Sequence, residues 1–163
     1  MSDAVLAFDP DTLTADLVLM GGDLETASTL ETAVILSLFS DARADAADEL
    51  PAGETWRRGW ALESVSSASE TDRFGSKLWL GGRRKKTEET RLWVIETARA
   101  ALQWMIDDGI AGAVEISAEW VDTRTGAGLL RLTVTIVKPD GTTESYVYQW
   151  AWDAQAERMS DAV

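Results

Sequence analysis

An apolar stripe with the period of an α-helix runs through 87–108 and is the clearest hydrophobic pattern in the chain. Its members are mostly three or four residues apart and share one helix face: Leu92, Ile95, Ala98, Leu102, Met105 and Ile106. Thr87 is a favoured N-cap residue, and Gly109 suits the left-handed position that ends many helices. The pattern predicts a long helix over 87–108 with one buried face.

A second apolar segment predicts a shorter helix over 28–42. Residues 34–39 are apolar on several sides, so this helix must be buried against more than one element. Ser28 and Glu31 have the spacing of a capping box, in which the serine oxygen accepts a backbone N–H and the glutamate reaches back. We expect the helix to begin at this box.

Alternation of apolar and polar residues predicts strands after the long helix. Three such segments fall within 113–152, separated by turns near 126–128 and 139–141. A weaker hairpin is predicted over 4–20. The fold class expected is α+β: an antiparallel β-meander of about three to five strands, with two main helices packed on one face.

The remaining segments do not add a second domain to 1–163. The segment 43–73 is rich in Ala, Asp, Ser and Glu and is predicted to be an irregular excursion. Trp56 and Trp60 lie in it, and each either folds back onto the core or anchors a partner. The polar tail over 153–163 is expected to fray. At 163 residues, with 45% hydrophobic residues, the chain can bury a core as one domain.

Composition narrows the chemistry that this chain can perform. It has no His and no Cys, so the commonest general base and the commonest zinc ligands are missing. A net charge of −13 argues against nucleic acid as the main partner, because phosphates must be neutralised by Lys and Arg. No apolar run is long enough to span a bilayer. We expect no catalytic residues, cofactor, metal, membrane or small-molecule substrate.

Charge is distributed unevenly along the chain. Eight acidic and no basic residues precede Arg43, whereas from Arg73 to Arg99 eight basic residues face three acidic ones, a local charge of +5. The centre of the basic segment is a loop before the long helix, here called the basic loop: Arg83, Arg84, Lys85 and Lys86. Such polarity suits docking between subunits, and the alternative is a solvated loop on an acidic protein.

The last predicted strand is a candidate interface. Residues 146–152 are rich in aromatic side chains and contain no proline. The outer strand of a meander leaves backbone N–H and C=O groups unpaired, so either the N-terminal hairpin or a strand from a partner must cover it.

Four short motifs in a fixed order carry a family resemblance: LETAVILSLFSDAR over 30–43, RRGW over 57–60, GSKLW over 75–79 and ALQW over 101–104. From about residue 16 to residue 152 the chain resembles the small baseplate wedge protein of Mu-like contractile-tailed phages. The residues that form this structural signature are Arg58, Gly59, Trp60, Gly75, Ser76, Leu78, Trp79, Leu102 and Trp104. One departure is Ala61, which stands where the family has a second Trp.

The resemblance implies a structural protein of the virion, located in the tail baseplate and made and assembled in the bacterial host cytoplasm. Its implied partners are other baseplate wedge proteins and the tail sheath protein. The basic loop would dock against the wedge proteins. The sheet would accept strands from the first sheath ring, near Tyr146, Tyr148 and Trp150.

The signature turn over 75–79 also has an expected role. Gly75 and Ser76 would permit a tight turn, and Leu78 and Trp79 would anchor this turn in the core.

Two alternatives to a phage baseplate remain open. One is a component of a secretion or defence injection machine with the same architecture. The other is a lysozyme-like cell-wall glycoside hydrolase, which needs only two carboxylates at a defined separation. Its candidates are the acidic pairs at 48–49, 88–89 and 107–108, including Glu88 and Asp107.

Overall fold

The computed structural model describes residues 3–4, 6–9, 14–17, 19–20, 23–24, 26–27, 30–51, 53–59, 74–122 and 128–151. Trp60, Trp152 and the predicted tail over 153–163 lie outside the described residues. In chain order the elements are β1 (Asp3–Ala4), β2 (Leu6–Asp9), β3 (Thr14–Leu17), β4 (Leu19–Met20), β5 (Asp23–Leu24), β6 (Thr26–Ala27), α1 (Glu31–Phe39), a 3₁₀ helix (Leu78–Arg83), α2 (Glu88–Asp107), β7 (Ala113–Asp122), β8 (Gly128–Val137) and β9 (Thr143–Ala151). The predicted α+β class is confirmed.

The meander β7–β8–β9 forms one antiparallel sheet with β8 in the centre. Every second residue of β8 points into the core, and these four are fully buried: Leu130, Leu132, Val134 and Ile136. The opposite face of the sheet carries Ser, Thr, Glu and Arg side chains that remain at the surface. The sheet is therefore covered by helices on one side only, as its alternating pattern predicts.

Helix α2 lies across β7 and supplies much of the core. The Thr87 hydroxyl accepts a hydrogen bond from the Thr90 N–H at 3.2 Å, and Gly109 has φ +71°, so both predicted ends are observed. The fully buried residues of its core face are Val94, Ala98, Leu102 and Met105. Leu92, expected in this stripe, is 48% exposed, because the line of contact with the sheet runs through Val94 instead.

Helix α1 does not begin at the predicted capping box. It starts at Glu31, and its N-cap residue Leu30 makes no side-chain cap; Ser28 lies outside the described residues. The Leu30 N–H instead donates to the Glu144 carboxylate at the start of β9, at 3.1 Å. A residue 114 positions away thus satisfies the helix start, which a local pattern cannot reveal.

The end of α1 and the N-terminal strands also differ from the pattern. Helix α1 ends at Phe39, earlier than the predicted 42, because the following residues pair with Ser76. The predicted hairpin over 4–20 contains the pair β2–β3, packed against α1, and is extended by the pairs β4–β5 and β1–β6. None of the described N-terminal strands pairs with β9.

Candidate functional site

The signature turn, residues 75–79, is fastened to the chain that leaves α1. The Ser76 N–H donates to the Ser40 carbonyl, and the Ala42 N–H donates to the Ser76 carbonyl, both at 2.9 Å. The Ser76 hydroxyl donates to the Leu38 carbonyl, one of the last carbonyls of α1. The turn therefore satisfies groups that the helix end leaves without intrahelical partners.

Gly75 can occupy this turn only because it has no side chain. Its φ is +90°, and an added Cβ would lie 2.5 Å from the Ser40 carbonyl oxygen. That separation is far below van der Waals contact, and the hydrogen bond from the Ser76 N–H holds this carbonyl in place. Gly75 thus has the tight-turn geometry that its motif implies.

Trp79 and Arg58 lock the other side of the turn. The Trp79 indole N–H donates to the Ala42 carbonyl at 2.9 Å, and the Arg58 guanidinium lies 4.4 Å from the centre of the Trp79 ring. Arg58 also pairs with Asp41 at 2.8 Å and with Glu54 at 2.9 Å. Gly59, with φ +105°, follows it. Arg58 and Trp79 thus join the signature turn to the segment that leaves α1.

The signature residues of the helices divide between core and surface. Leu102 is fully buried, and Leu78 packs against the core from the 3₁₀ helix. Trp104 is 38% exposed, and its indole N–H donates to the Ser37 hydroxyl of α1 at 3.0 Å. Trp104 therefore joins the two helices while leaving part of its ring at the surface.

The described side chains of the basic loop make separate contacts. The Arg84 guanidinium stacks on Trp93 of α2, 4.4 Å from the ring centre. The Lys86 ammonium reaches the other way and pairs with Asp122 of β7 at 2.6 Å. Lys85 lies between them and is exposed; the side chain of Arg83 is outside the described part of the chain. Arg84 and Lys86 thus contact different elements of the fold.

A cleft of about 840 Å³ lies between the loop over 42–51, the signature turn and α2. Its floor contains Ala100, Ala101 and Leu80, and Arg84 stacked on Trp93 forms one end. On its wall Lys77 pairs with Asp45 at 2.6 Å and with Asp48. Burial opposes ionisation of Asp48, but the hydrogen bonds from Lys77 and from the Asp45 N–H, together with the Lys77 charge, outweigh it and hold the pKa of that carboxyl below its usual value.

The described carboxylates give the hydrolase interpretation no support. A general acid needs a raised pKa, yet each described carboxyl group with a resolved pKa shift is shifted downward. The hydrogen bond from Arg91 lowers the pKa of Glu88, and Asp107 accepts from Gln103 at 3.0 Å. Among the described residues no group of three or more Asp or Glu is arranged to hold a metal ion.

The aromatic side chains of β9 belong to the core. Tyr148 and Trp150 are 3% and 4% exposed, and both meet the Phe39 ring edge-on, with ring centres 5.3 Å and 5.9 Å away. Tyr146 is half-buried, and its hydroxyl donates to Glu144. Hence the buried rings of Tyr148 and Trp150 fix β9 against the core, and Tyr146 is held by its hydrogen bond to Glu144.

The outer edge of β9 is formed by its backbone and by the alternate residues. The Lys138 N–H donates to the Thr142 carbonyl at 2.8 Å, which sets the phase of the β8–β9 ladder. Because hydrogen-bonded pairs alternate, every second residue from Glu144 onward turns its backbone groups toward β8. Between Glu144 and Trp150, the residues that turn their backbone groups outward are Ser145, Val147 and Gln149. Within the described ranges no strand pairs with this edge, and Val147 is 55% exposed.

Sequence reasoning missed these three outward residues. A signal was present, since they alternate with the aromatic positions of the same strand. The alternation indicates two faces of the strand, and the large aromatic side chains all lie on the buried one.

The outer edge of β7 is different because the start of α2 covers it. By the same alternation the Ala118 carbonyl faces outward, and the Arg91 guanidinium donates to it at 3.0 Å. The Trp120 indole N–H donates to the Thr87 carbonyl at 3.1 Å. The outer edge of β9 differs in that no described strand pairs with it.

Comparison with known proteins places this architecture beside phage proteins. Residues 30–143 match the family described as Phage protein GP46. The chain is 34% identical over 138 residues to "Baseplate protein gp46" of Escherichia phage Mu, covering 85% of this chain and 90% of that protein. It is 35% identical over 137 residues to "Mu-like prophage FluMu protein gp46" of Haemophilus influenzae, covering 84% and 89%. No helix among the described residues is long and apolar enough to cross a membrane.

Proposed function

The chain belongs to the Phage protein GP46 family, and from this premise we propose that it is a structural component of a contractile phage tail or tail-like particle, located in the baseplate. It acts by non-covalent contacts with other baseplate proteins. The similarity covers most of both chains, and every described carboxyl group with a resolved pKa shift has its pKa lowered, the opposite of what a general acid needs. Both observations support a structural role over catalysis.

The finer part of the proposal is that the outer edge of β9 accepts a strand from the tail sheath protein and so starts sheath assembly. The observation that carries it is that no described strand pairs with this edge. The backbone groups of Ser145, Val147 and Gln149 offer a ladder of donors and acceptors to an extended segment. The charged side chains nearest this edge are already engaged, because Glu144 pairs with Lys138.

The edge is rigid before any partner arrives. Tyr148 and Trp150 anchor β9 from the core side, and nine residue pairs join β9 to β8. A partner strand therefore loses its own conformational freedom on binding, but β9 loses little. This preorganisation favours β9 as the accepting strand.

Replacing Val147 by proline tests the proposal. The Val147 N–H points outward, so proline removes a donor from the edge and leaves the β8–β9 ladder intact. We expect V147P to fold normally by circular dichroism and to capture much less sheath protein of the same particle. V147T is the matched control, because it keeps the N–H and the β-branched shape, and it should capture sheath protein as the wild type does.

Equal capture of sheath protein by a folded V147P variant and by V147T would overturn strand addition at β9. The baseplate role would still stand if the variant entered particles, so quantitative mass spectrometry of assembled tails should accompany the capture measurement.

A further inference from the structure

We propose that two copies of the chain associate in solution through their β9 edges and merge their three-stranded sheets into one continuous antiparallel sheet. The inference goes beyond the proposed function and shares with it only the open edge of β9. It requires no other protein.

The β9 edge is complementary to itself. A two-fold axis at Val147 would place Val147 opposite Val147 of the second copy and Ser145 opposite Gln149. All of these residues turn their backbone groups outward, so each pair would exchange both of its N–H···O hydrogen bonds. An interface of this isologous kind uses the same surface on both copies. Pairing would also cover the exposed Val147 side chain.

Charge opposes self-association over most of this molecule but not at β9. The chain carries a net charge of −13, which repels a second copy in general. Residues 145–151, SYVYQWA, contain no charged residue, no proline and no glycine. The nearest carboxylate, Glu144, is held by Lys138 and by the Leu30 N–H. A neutral, β-favouring edge is the part of an acidic surface where two copies can meet.

Pairing through β9 stops at two copies. The opposite edge of each sheet is β7, where Arg91 already occupies the outward carbonyl of Ala118. The merged sheet would therefore end on two covered edges, giving a closed dimer instead of a growing fibre. One short strand on each side gives a small interface, so the dimer should exchange readily with monomers.

A single engineered cysteine tests this geometry, because the natural chain has none. Opposite residues in a hydrogen-bonded pair have Cα atoms about 5.5 Å apart, which a disulfide can bridge. We expect V147C to form a disulfide-linked dimer under mild oxidation. S117C is the matched control: it lies in the same cross-strand row, on the covered edge strand β7, and is exposed. It should stay largely monomeric.

Sedimentation equilibrium of the unmodified protein provides the second measurement. We expect a reversible monomer–dimer equilibrium, with the dissociation constant at least about tenfold higher in V147P, because both central hydrogen bonds lose their donors. Only monomer at concentrations up to about 1 mM would overturn the inference, as would equal cross-linking of V147C and S117C. If V147P does not fold, the cysteine pair decides.

These results are separable from those of the proposed function. Sedimentation and cross-linking use the chain alone, whereas the proposed function depends on capture of sheath protein. A monomeric chain that captures sheath protein overturns only the dimer. Because both partners would use the β9 edge, capture is measured at chain concentrations below the dissociation constant of the dimer, and a chain that captures no sheath protein there overturns only strand addition.

Discussion

Position 75 requires glycine for two separate reasons. Its φ of +90° places it in the left-handed region, where a side chain is strained. The Ser40 carbonyl also occupies the space that a Cβ would need. The two effects are independent, because the first is local backbone energy and the second is contact with the chain that leaves α1. A comparison of two glycines can therefore separate them.

We predict that Gly75→Ala destabilises the protein by at least about 3 kcal/mol, the sum of left-handed strain and overpacking. Gly53→Ala is the control. Gly53 has φ +88°, but its Cβ would meet no described atom within 4 Å, so only the strain applies and about 1–2 kcal/mol should be lost. Urea unfolding of both variants measures the difference. Equal losses would show that Ser40 moves aside without cost.

At the scale of elements, the sequence predicts the helices and strands whose caps and hydrophobic periodicity are local in the chain. Helix α2 has a cap at each end, Thr87 and Gly109, and its bounds agree with its pattern. The meander follows from strict alternation, and its three strands are observed where the pattern puts them. In these segments the periodicity, the breaker residues and the tertiary packing all favour the same structure.

The misses at this scale have a common cause, which is contact between residues far apart in the chain. Helix α1 begins at Glu31 because Glu144 satisfies its first amide. The aromatic residues of β9 identify a strand, but only the Phe39 ring shows which face is buried. Period-two alternation gives two faces without saying which one a helix will cover.

Glu144 should make stability depend on pH. Burial opposes ionisation of this carboxyl, but hydrogen bonds from Lys138, Tyr146 and the Leu30 N–H outweigh it and lower its pKa below the ordinary 4.5. A carboxyl group whose pKa is lower in the folded state stabilises the fold at pH values above its unfolded-state pKa. That contribution is lost as the pH falls through its folded-state pKa. We predict that Glu144→Gln costs about 1–2 kcal/mol at neutral pH and less below pH 4.5.

Urea unfolding of the wild type and of E144Q at neutral and acidic pH measures this effect. The control is Glu119→Gln, which removes a carboxylate that pairs with Arg131 at 2.6 Å but is 61% exposed. Pairs this exposed contribute little, so E119Q should change stability much less. A difference between E144Q and wild type that does not shrink in acid would mean that Glu144 acts through shape alone.

At the scale of the whole molecule, ion pairs within the fold change the net charge that counting residues assigns to a segment. The segment from Arg73 to Arg99 has a charge of +5 in sequence. In the structure Lys86 pairs with Asp122 and Lys77 with Asp45, two acids outside the segment, so part of that charge is neutralised within the fold. Sequence alone could not show this, because Asp122 lies beyond the segment and meets it only through the packing of α2 on β7.

Lys85 is consequently the residue on which electrostatic docking through the basic loop can be tested without disturbing the fold. Reversing Arg84 would also break its stacking on Trp93, whereas Lys85 is exposed. We predict that Lys85→Glu leaves the unfolding midpoint unchanged and slows association with other baseplate proteins, most strongly at low ionic strength. Surface plasmon resonance across a salt series measures the effect.

Arg99→Glu supplies the same change of net charge from an exposed position on α2, away from the basic loop. If association depends on the basic loop itself, K85E should associate more slowly than R99E at low salt. The two association rates should converge at high salt, where surface charges are screened. Equal slowing by both variants would mean that the partner senses only the overall charge of −13. In that case the basic loop is a solvated surface, and of the two proposed interfaces only the β9 edge remains.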